Sequence, residues 1–431
     1  MKLFVSTQRF SLLPNPSPFR VCEKYQPILI NETNGPITCL EELTSASKVQ
    51  DQDADKSIIQ ISVENGYEIQ SYKVTTSDGY ILTMFRIPGG FKSPARNGKP
   101  SVLLLHGWGN SCEIWIALPN DKNLAFMLAD AGYDVWLGAF EARLAWTGCV
   151  IKCAFSISFH EIGIYDIPTM VDQILMVSGN DKIFVIGHSM GGATILVAAA
   201  EIPTMNQKIN AAFLLEPAAQ LGGLYDPAIL ATMRVVNTPA EDFIYELVRG
   251  RIQMRNPRLL LTALGIQLYE LCEPTAVRCG LCDLTGLGLR NFNPAQMNYT
   301  NLPRMLSKLN DIGSLRSLFH LSQNARSCSF RYYDRETAEN LRRYGQVNPP
   351  RYNLSAVTAP LYLFWGEQDA IVTPPDVQRL ANELSPAALR GVFRVNDDTF
   401  NHYDFVVARD ANVLVYKPLI ELMNNFEERV S

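Results

Sequence analysis

The chain has 431 residues, of which 47% are hydrophobic and 19% charged, and its formal net charge is −5. This composition is typical of a globular protein and excludes an intrinsically disordered one. Acidic and basic residues are mixed without a basic stripe, so nucleic acid is not an expected partner. The longest clean apolar runs, such as residues 193–200, are shorter than the ~18 residues that span a bilayer.

Residues 1–57 are predicted to be a loosely ordered leader. Three prolines lie between residues 14 and 18, and residues 50–56 are almost entirely polar. One early lysine and several apolar residues suggest a secretory signal, but Gln8 and Arg9 interrupt the apolar run that such a signal requires.

From residue 58 onward, strand and helix patterns alternate. Two strand patterns flank a Ser-Asp-Gly turn and predict a β-hairpin at 67–76 and 80–88. Residues 101–106 form a short apolar run that is typical of a strand buried on both faces. Further strands are predicted at 133–137, 182–186, 210–216, 360–365 and 392–395. Helices are predicted at 124–131, at 166–178 and from Ser189 to about Glu201.

This alternation predicts an α/β fold with a mostly parallel central sheet flanked by helices. The rhythm stops between residues 217 and 330, where long helical or loop segments are rich in Leu, Ile and Met. We interpret them as a mainly helical insertion between two strands of the sheet. The predicted domains are therefore a first core part (58–216), the insertion (217–330) and a second core part (331–431). Ligands bind at the carboxyl ends of strands in such sheets, so the residues after each apolar run are the candidates for chemistry.

The pattern Gly-x-Ser-x-Gly at residues 187–191 lies between an apolar strand and an alanine-rich helix. It is the nucleophile-elbow pattern, in which a sharp turn requires very small residues two positions before and after the serine. The helix that follows favours negative charge at its N-terminus. A phosphate-binding turn would need G-x-G-x-x-G or G-K-[ST], and neither is present. Ser189 is therefore the candidate nucleophile.

A serine hydroxyl needs a base, and histidine is the expected one. The chain has five histidines: His106, His160, His188, His320 and His402. His188 lies inside the elbow and cannot easily turn back onto Ser189. His402 follows the last predicted strand and fits the order Ser, acid, His that this fold uses, so it is the candidate base.

The acid must lie at a strand end between the serine and the histidine. Asp369 stands four residues past the strand 360–365 and would hold the imidazole in the correct tautomer. Glu367, Asp397 and Asp398 are the competing acids.

An oxyanion hole needs two backbone N–H groups. One is expected from Met190, directly after the nucleophile. The other is expected from Trp108, because His106-Gly107 lets the chain turn tightly after the strand 101–106. The Trp108 indole is free to pack in the core, since only its backbone would be used.

The nine cysteines do not match a metal-binding pattern, and no cofactor is expected. Cys279 and Cys282 are close in sequence, but no His or Asp ligands flank them. We interpret most cysteines as buried or lone thiols, and a local disulfide from Cys272 to Cys279 or Cys282 is the alternative. N-glycosylation sequons begin at Asn31, Asn298 and Asn353. They matter only if the protein is secreted.

Together these motifs resemble those of the acid lipase family, which comprises gastric and lysosomal lipases and their insect and plant relatives. The matching stretches are 72–82, 103–107, 125–138, 159–168, 185–191, 365–369 and 401–405. The resemblance implies an α/β-hydrolase fold with a cap and mobile lid, and it carries the triad onto Ser189, Asp369 and His402. It also implies hydrolysis of acyl esters of glycerol or sterols at a lipid–water interface, and secretion or a lysosomal location.

Three positions depart from the family pattern. Met190 stands where relatives usually have glutamine, and residues 136–149 lack the family's asparagines. Glu216 replaces the small or apolar residue that usually precedes Pro217. A soluble carboxylesterase for smaller esters, or a catalytically weak lipid-binding protein on the same fold, are the alternative functions. The oligomeric state is left open.

Overall fold

A computed structural model provides the fold of this protein. It describes residues 56–119, 121–145, 157–225, 232–247, 250–253 and 312–430, together with positions 230, 293, 295–298, 301, 304, 305 and 308. The predicted leader up to residue 55, Asn31, and the cysteines Cys272, Cys279 and Cys282 lie outside these residues.

Eight strands form one sheet: β1 Gln70–Thr75, β2 Tyr80–Ile87, β3 Ser101–Leu105, β4 Asp134–Ala145, β5 Ile183–His188, β6 Ile209–Leu215, β9 Leu361–Trp365 and β10 Leu389–Arg394. Their order in the sheet is β1-β2-β4-β3-β5-β6-β9-β10. Six neighbouring strands, β4, β3, β5, β6, β9 and β10, run parallel to one another. Strand β2 runs antiparallel to both β1 and β4. The mostly parallel α/β sheet predicted from the alternating pattern is therefore confirmed.

Helices cover both faces of this sheet, as continuous apolar strands require. Alternate residues of β3 enter separate cores, with Leu104 in one and Leu103 and Leu105 in the other. All residues of β3 and β5 are buried, so the predicted two-sided burial is confirmed. The principal helices are α1 Ile58–Glu64, α2 Leu124–Asp130, α3 Ile167–Ser178, α4 Met190–Glu201, α5 Pro239–Leu247, α6 Leu315–Ser327, α7 Glu336–Tyr344, α8 Pro374–Glu383 and α9 Lys417–Val430.

Two local features differ from the sequence expectation. The predicted strand 133–137 continues to Ala145, because β2 pairs with it as far as the register Tyr80 opposite Ala145. The insertion also contains a two-stranded antiparallel pair, β7 Arg251–Gln253 and β8 Ile312–Ser314. Three-residue strands are too short to show a two-residue period, so no pattern in the sequence predicts them.

A small apolar cluster is formed mainly by the described part of the insertion, with Tyr333 added from the start of the second core part. The cluster contains Val236, Leu315, Leu318, Phe319 and Tyr333. Trp108, from the turn after β3, and residues of α5 pack against it. Within the described ranges, no helix is both long enough and apolar enough to cross a membrane.

Cys328, at the end of α6, is disulfide-bonded to a cysteine outside the described residues. The interpretation of most cysteines as buried or lone thiols is therefore wrong for Cys328. Spacing gives no signal for such a bond, because disulfide partners are brought together only by the fold.

Candidate active site

Ser189 lies in a sharp turn between β5 and α4. Its backbone has φ 55° and ψ −120°, in the region of positive φ that serine rarely adopts. A Cβ on Gly187 would lie 2.7 Å from Gly191 C, and one on Gly191 would lie 2.5 Å from Leu105 O. Both glycines are therefore required by close backbone contacts, as the elbow pattern predicts.

His402 contacts both Ser189 and Asp369. The distance from His402 Nε2 to Ser189 Oγ is 2.8 Å, and that from His402 Nδ1 to Asp369 Oδ2 is 2.6 Å. Because a carboxylate only accepts hydrogen bonds, Nδ1 carries the proton and Nε2 is left to accept the serine hydroxyl proton. The three side chains are buried. The arrangement is that of a serine nucleophile with a base and an orienting acid.

The Asp369 carboxylate is fixed by backbone donors on its other oxygen. Oδ1 accepts the N–H groups of Ile371 at 2.7 Å and Val372 at 2.9 Å. The turn around Asp369 thus aims Oδ2 at His402. Two backbone donors and the imidazole together stabilise the charged carboxylate.

The competing acids have other partners. Glu367 forms an ion pair with Arg394 at 2.9 Å, and Asp398 pairs with the same arginine. Asp397 accepts from Thr399. Asp369 is the one of the four proposed acids that contacts His402 in the structure.

The other four histidines contact different groups; His106, His188 and His320 are buried, and His160 is partly buried. His106 stacks on Phe140 with ring centroids 4.0 Å apart, and burial lowers its pKa to about 4. His160 Nδ1 lies 2.9 Å from the Tyr352 hydroxyl. His320 stacks on Phe159, and burial lowers its pKa to about 3. None of these three rings is bonded to Ser189.

His188 connects the elbow to the base, a contact that no sequence pattern predicts. Its Nε2 lies 2.9 Å from the backbone oxygen of His402, so Nε2 must be the donor. The two rings are 4.9 Å apart, and burial followed by the proximity of His402 lowers the pKa of His188 well below its usual value. A neutral His188 therefore holds the loop that carries the base. A histidine directly before the nucleophile was the only sequence signal for it.

The turn after β3 lies against the serine. A Cβ on Gly107 would be 3.1 Å from the Ser189 Cβ, so the backbone here passes directly beside the nucleophile. The Trp108 indole N–H donates to Ser314 O at 2.8 Å. Its ring packs so closely on Gly313 that a Cβ there would lie 2.7 Å away. The turn beside the serine is thus attached to strand β8 of the insertion.

The departures from the family pattern have specific contacts. The Met190 side chain is fully buried and belongs to the apolar core beside α4. Phe140, in the altered segment 136–149, is the residue that stacks on His106. Residues 146–149 lie outside the described part of the chain.

Glu216 is buried next to the acid. It directly follows β6, and its carboxyl accepts a hydrogen bond from the Gly366 N–H. Burial and the nearby Asp369 raise its pKa well above the ordinary value for glutamate.

Asp404, two residues past the base, is also buried, and its pKa is raised mainly by burial. Among the described residues, no group of three or more His, Cys, Asp or Glu side chains is arranged to hold a metal ion.

Comparison with known proteins shows the family of the chain. The family described as alpha/beta hydrolase fold matches residues 100–408, and the partial α/β-hydrolase lipase region matches residues 58–118. Lipase 3 of Drosophila melanogaster is 31% identical over 369 residues, covering 84% of this chain and 92% of the relative. Gastric triacylglycerol lipase of Rattus norvegicus is 32% identical over 380 residues, covering 86% and 92%.

A solved structure agrees at the level of the fold. The crystal structure of a candidate lipase from Sulfolobus solfataricus matches with a TM-score of 0.53 and 14% identity, covering 83% of this chain and 93% of that one. The chain therefore belongs to the α/β-hydrolase fold family, in the group that contains the gastric triacylglycerol lipases and the insect lipases.

Proposed function

We propose that the protein is a lipase that hydrolyses acyl esters of lipids, such as triacylglycerols or sterol esters, through an acyl-enzyme on Ser189. The observation that carries this proposal is the pair of short contacts from His402 to Ser189 Oγ and to Asp369 Oδ2, 2.8 and 2.6 Å long. The lipase relatives at about 30% identity over most of the chain support the same activity.

In the first step, Ser189 Oγ attacks the ester carbonyl while His402 Nε2 takes the hydroxyl proton. Asp369 stabilises the imidazolium that forms, through its bond to Nδ1. The negative charge on the carbonyl oxygen would be held by the backbone N–H groups of Met190 and Trp108. Met190 begins helix α4, so the helix N-terminus adds a favourable field.

Collapse of the tetrahedral intermediate breaks the bond to the alcohol oxygen, which takes the proton from His402. A water molecule then attacks the acyl-enzyme, with His402 again accepting the proton. The second collapse returns that proton to Ser189 and releases the fatty acid. No cofactor is needed in either step.

We further propose that residues 217–330 form a cap over the acyl site, between core parts at 58–216 and 331–431. The cluster of the insertion against which Trp108 packs supports this, because it joins the insertion to the turn beside the serine. The disulfide at Cys328 favours an oxidising location, in agreement with secretion or a lysosomal site.

The test is the Ser189→Ala variant. We expect hydrolysis of a short p-nitrophenyl ester to fall by about 10⁶-fold in kcat, with an unchanged circular dichroism spectrum. A fluorophosphonate probe should label the wild-type protein and not the variant. Activity retained in the variant would disprove the assignment of the nucleophile. A folded wild-type protein that is neither labelled nor active would instead favour the catalytically weak lipid-binding protein.

A further inference from the structure

Glu216 occupies a position where an acidic side chain is costly. The residue has φ 46°, a left-handed conformation that non-glycine residues rarely adopt. Its side chain is fully buried. A buried carboxyl group without a compensating cation is strongly unfavourable when charged. Such a residue calls for a specific explanation.

The contacts of Glu216 reach the turn that carries the acid of the triad. Its backbone N–H donates to Phe364 O at 3.0 Å, which continues the pairing of β6 with β9 by one residue. Its Oε1 accepts the N–H of Gly366, the first residue after β9. Asp369 follows three residues later. Glu216 therefore holds the start of the turn that ends at Asp369.

The same turn is held from the opposite side by the loop of the base. Gln368 N–H donates to Phe400 O at 2.9 Å, and a Cβ on Gly366 would lie 2.6 Å from that oxygen. Phe400 precedes His402 by two residues. The acid turn is thus clamped between Glu216 and the base loop, so a shift at Gly366 would change the 2.6 Å contact between Asp369 and His402.

In the part of the chain that the structure describes, two carboxylates act electrostatically on Glu216. They are Asp369 from the turn after β9 and Asp376 from helix α8. Asp376 is itself bonded to Thr373 and paired with Arg379. The second oxygen of Glu216, Oε2, is buried and has no hydrogen-bond partner among the described residues. A negative charge on Glu216 would therefore be repelled and unsolvated, so the neutral acid is the stable form.

We propose that Glu216 is a positioning residue for the catalytic acid: as a neutral carboxylic acid it anchors Gly366 and so fixes the distance between Asp369 and His402. The proposal rests on the proposed function, because it assigns Glu216 a role in the same triad. Neutrality leaves Asp369 as the single charged carboxylate against the imidazole.

The experiment compares Glu216→Gln and Glu216→Ala in the full-length protein, with a soluble p-nitrophenyl ester. Glutamine keeps an oxygen for the Gly366 N–H and has no charge, so kcat should stay within about twofold of wild type. The acid side of the kcat/KM pH profile should not move. Alanine leaves the Gly366 N–H without its acceptor, and kcat should fall by about 10- to 100-fold with little change in KM. Glu216→Met fills a similar volume but offers the Gly366 N–H no oxygen acceptor, so its kcat should fall with that of the alanine variant, whereas a packing role alone would leave it near wild type.

Two outcomes would overturn the proposal. Wild-type kcat in Glu216→Ala would show that the anchor does not position the acid. A shift of the acid limb by about half a pH unit or more in Glu216→Gln would show that a charge had been removed, so that Glu216 is ionised in the wild-type protein. If the alanine variant does not fold, the glutamine profile still decides the question of charge.

A matched control is Glu201→Ala, which removes a glutamate that is bonded to Tyr332 in a different part of the structure. It should leave kcat unchanged.

Fluorophosphonate labelling of Ser189 in every variant distinguishes a failure of the role proposed for Glu216 from a failure of the proposed function. A labelled and active wild-type protein with an unaffected alanine variant overturns only the role of Glu216. An unlabelled, inactive wild-type protein overturns both proposals.

Discussion

Ser189 is presented as a nucleophile by a strained backbone turn that the neighbouring segments enforce. A positive φ at a serine costs on the order of 1–3 kcal/mol and persists only where the surrounding structure enforces it. Here the Ser189 N–H donates to Leu215 O at 2.9 Å, and its carbonyl accepts from Ala218 at 3.0 Å. The end of β6 therefore holds the elbow from one side. The same segment then continues into Glu216 and its contact with the acid turn.

The choice among four acids yields a prediction at the residue scale. Asp369→Asn should lower kcat by about 10⁴-fold, because an amide favours the wrong tautomer of His402 and cannot stabilise the imidazolium. Glu367→Gln should change kcat by less than about twofold, since that side chain takes part only in a partly exposed ion pair with Arg394. Steady-state kinetics on a soluble ester measure both. A large loss of kcat in Glu367→Gln, together with an active Asp369→Asn, would instead make Glu367 the catalytic acid.

At the scale of single elements, helix α5 presents two different faces. Ile244 and Tyr245 pack against the small cluster of the insertion. Phe243 and Leu247, one helical turn apart, are 69% and 70% exposed. An exposed pair of large apolar side chains on an amphipathic helix is suited to contact with a lipid surface.

We predict that Phe243→Ser combined with Leu247→Ser lowers activity on emulsified triacylglycerol by roughly tenfold, because apolar burial at the interface is lost. Activity on a dissolved ester should stay unchanged. This comparison also separates a lipase from a soluble esterase, for which both substrates would respond alike.

The matched control lies on α1, where Ile59 and Val63 form another exposed pair one turn apart, 45% and 60% exposed. The double serine variant of that pair should leave both activities near wild type. Equal losses of activity on emulsified triacylglycerol in the two double variants would mean that α5 is not the specific contact with the lipid surface.

At the scale of the whole molecule, buried ionisable groups of opposite kind set the dependence of stability on pH. The pKa values of Glu216 and Asp404 are raised, mainly by burial. Their contribution to stability is fully present below the unfolded pKa of ~4 and is lost as pH rises through the folded values. Burial lowers the pKa of His106 to about 4 and that of His320 to about 3. Their contribution is present above the unfolded pKa of ~6.5 and is lost as pH falls toward those values.

We therefore expect the free energy of unfolding to be highest at mildly acidic pH and to fall in both directions from it. Urea denaturation at about pH 3.5, 5.5 and 8.5 should give the largest value at the middle pH. In Glu216→Gln the fall between the middle and the highest pH should be smaller, because one buried carboxyl no longer ionises. A maximum at the highest pH in the wild-type protein would contradict the argument.

Much of the fold could be predicted because its signals are local. Apolar runs such as residues 101–105 and 183–186 are buried on both faces, and so read directly as central parallel strands. The glycines two positions before and after Ser189 are also a local signal, because the sharp turn leaves no room for a side chain there. Strands β7 and β8 carried no such signal, because three residues cannot display a period.

By itself, the sequence determined the α/β architecture and the elbow at Ser189. It also identified Asp369 and His402 as candidates, because they follow predicted strands in the order serine, acid, histidine. Period and spacing along the chain are sufficient for these conclusions. Only the tertiary structure decided which acid contacts the imidazole, that His188 holds the base loop, and that Glu216 reaches Gly366. Those contacts join residues from 33 to 214 positions apart, and their partners are selected by strand order and burial, which no local pattern records.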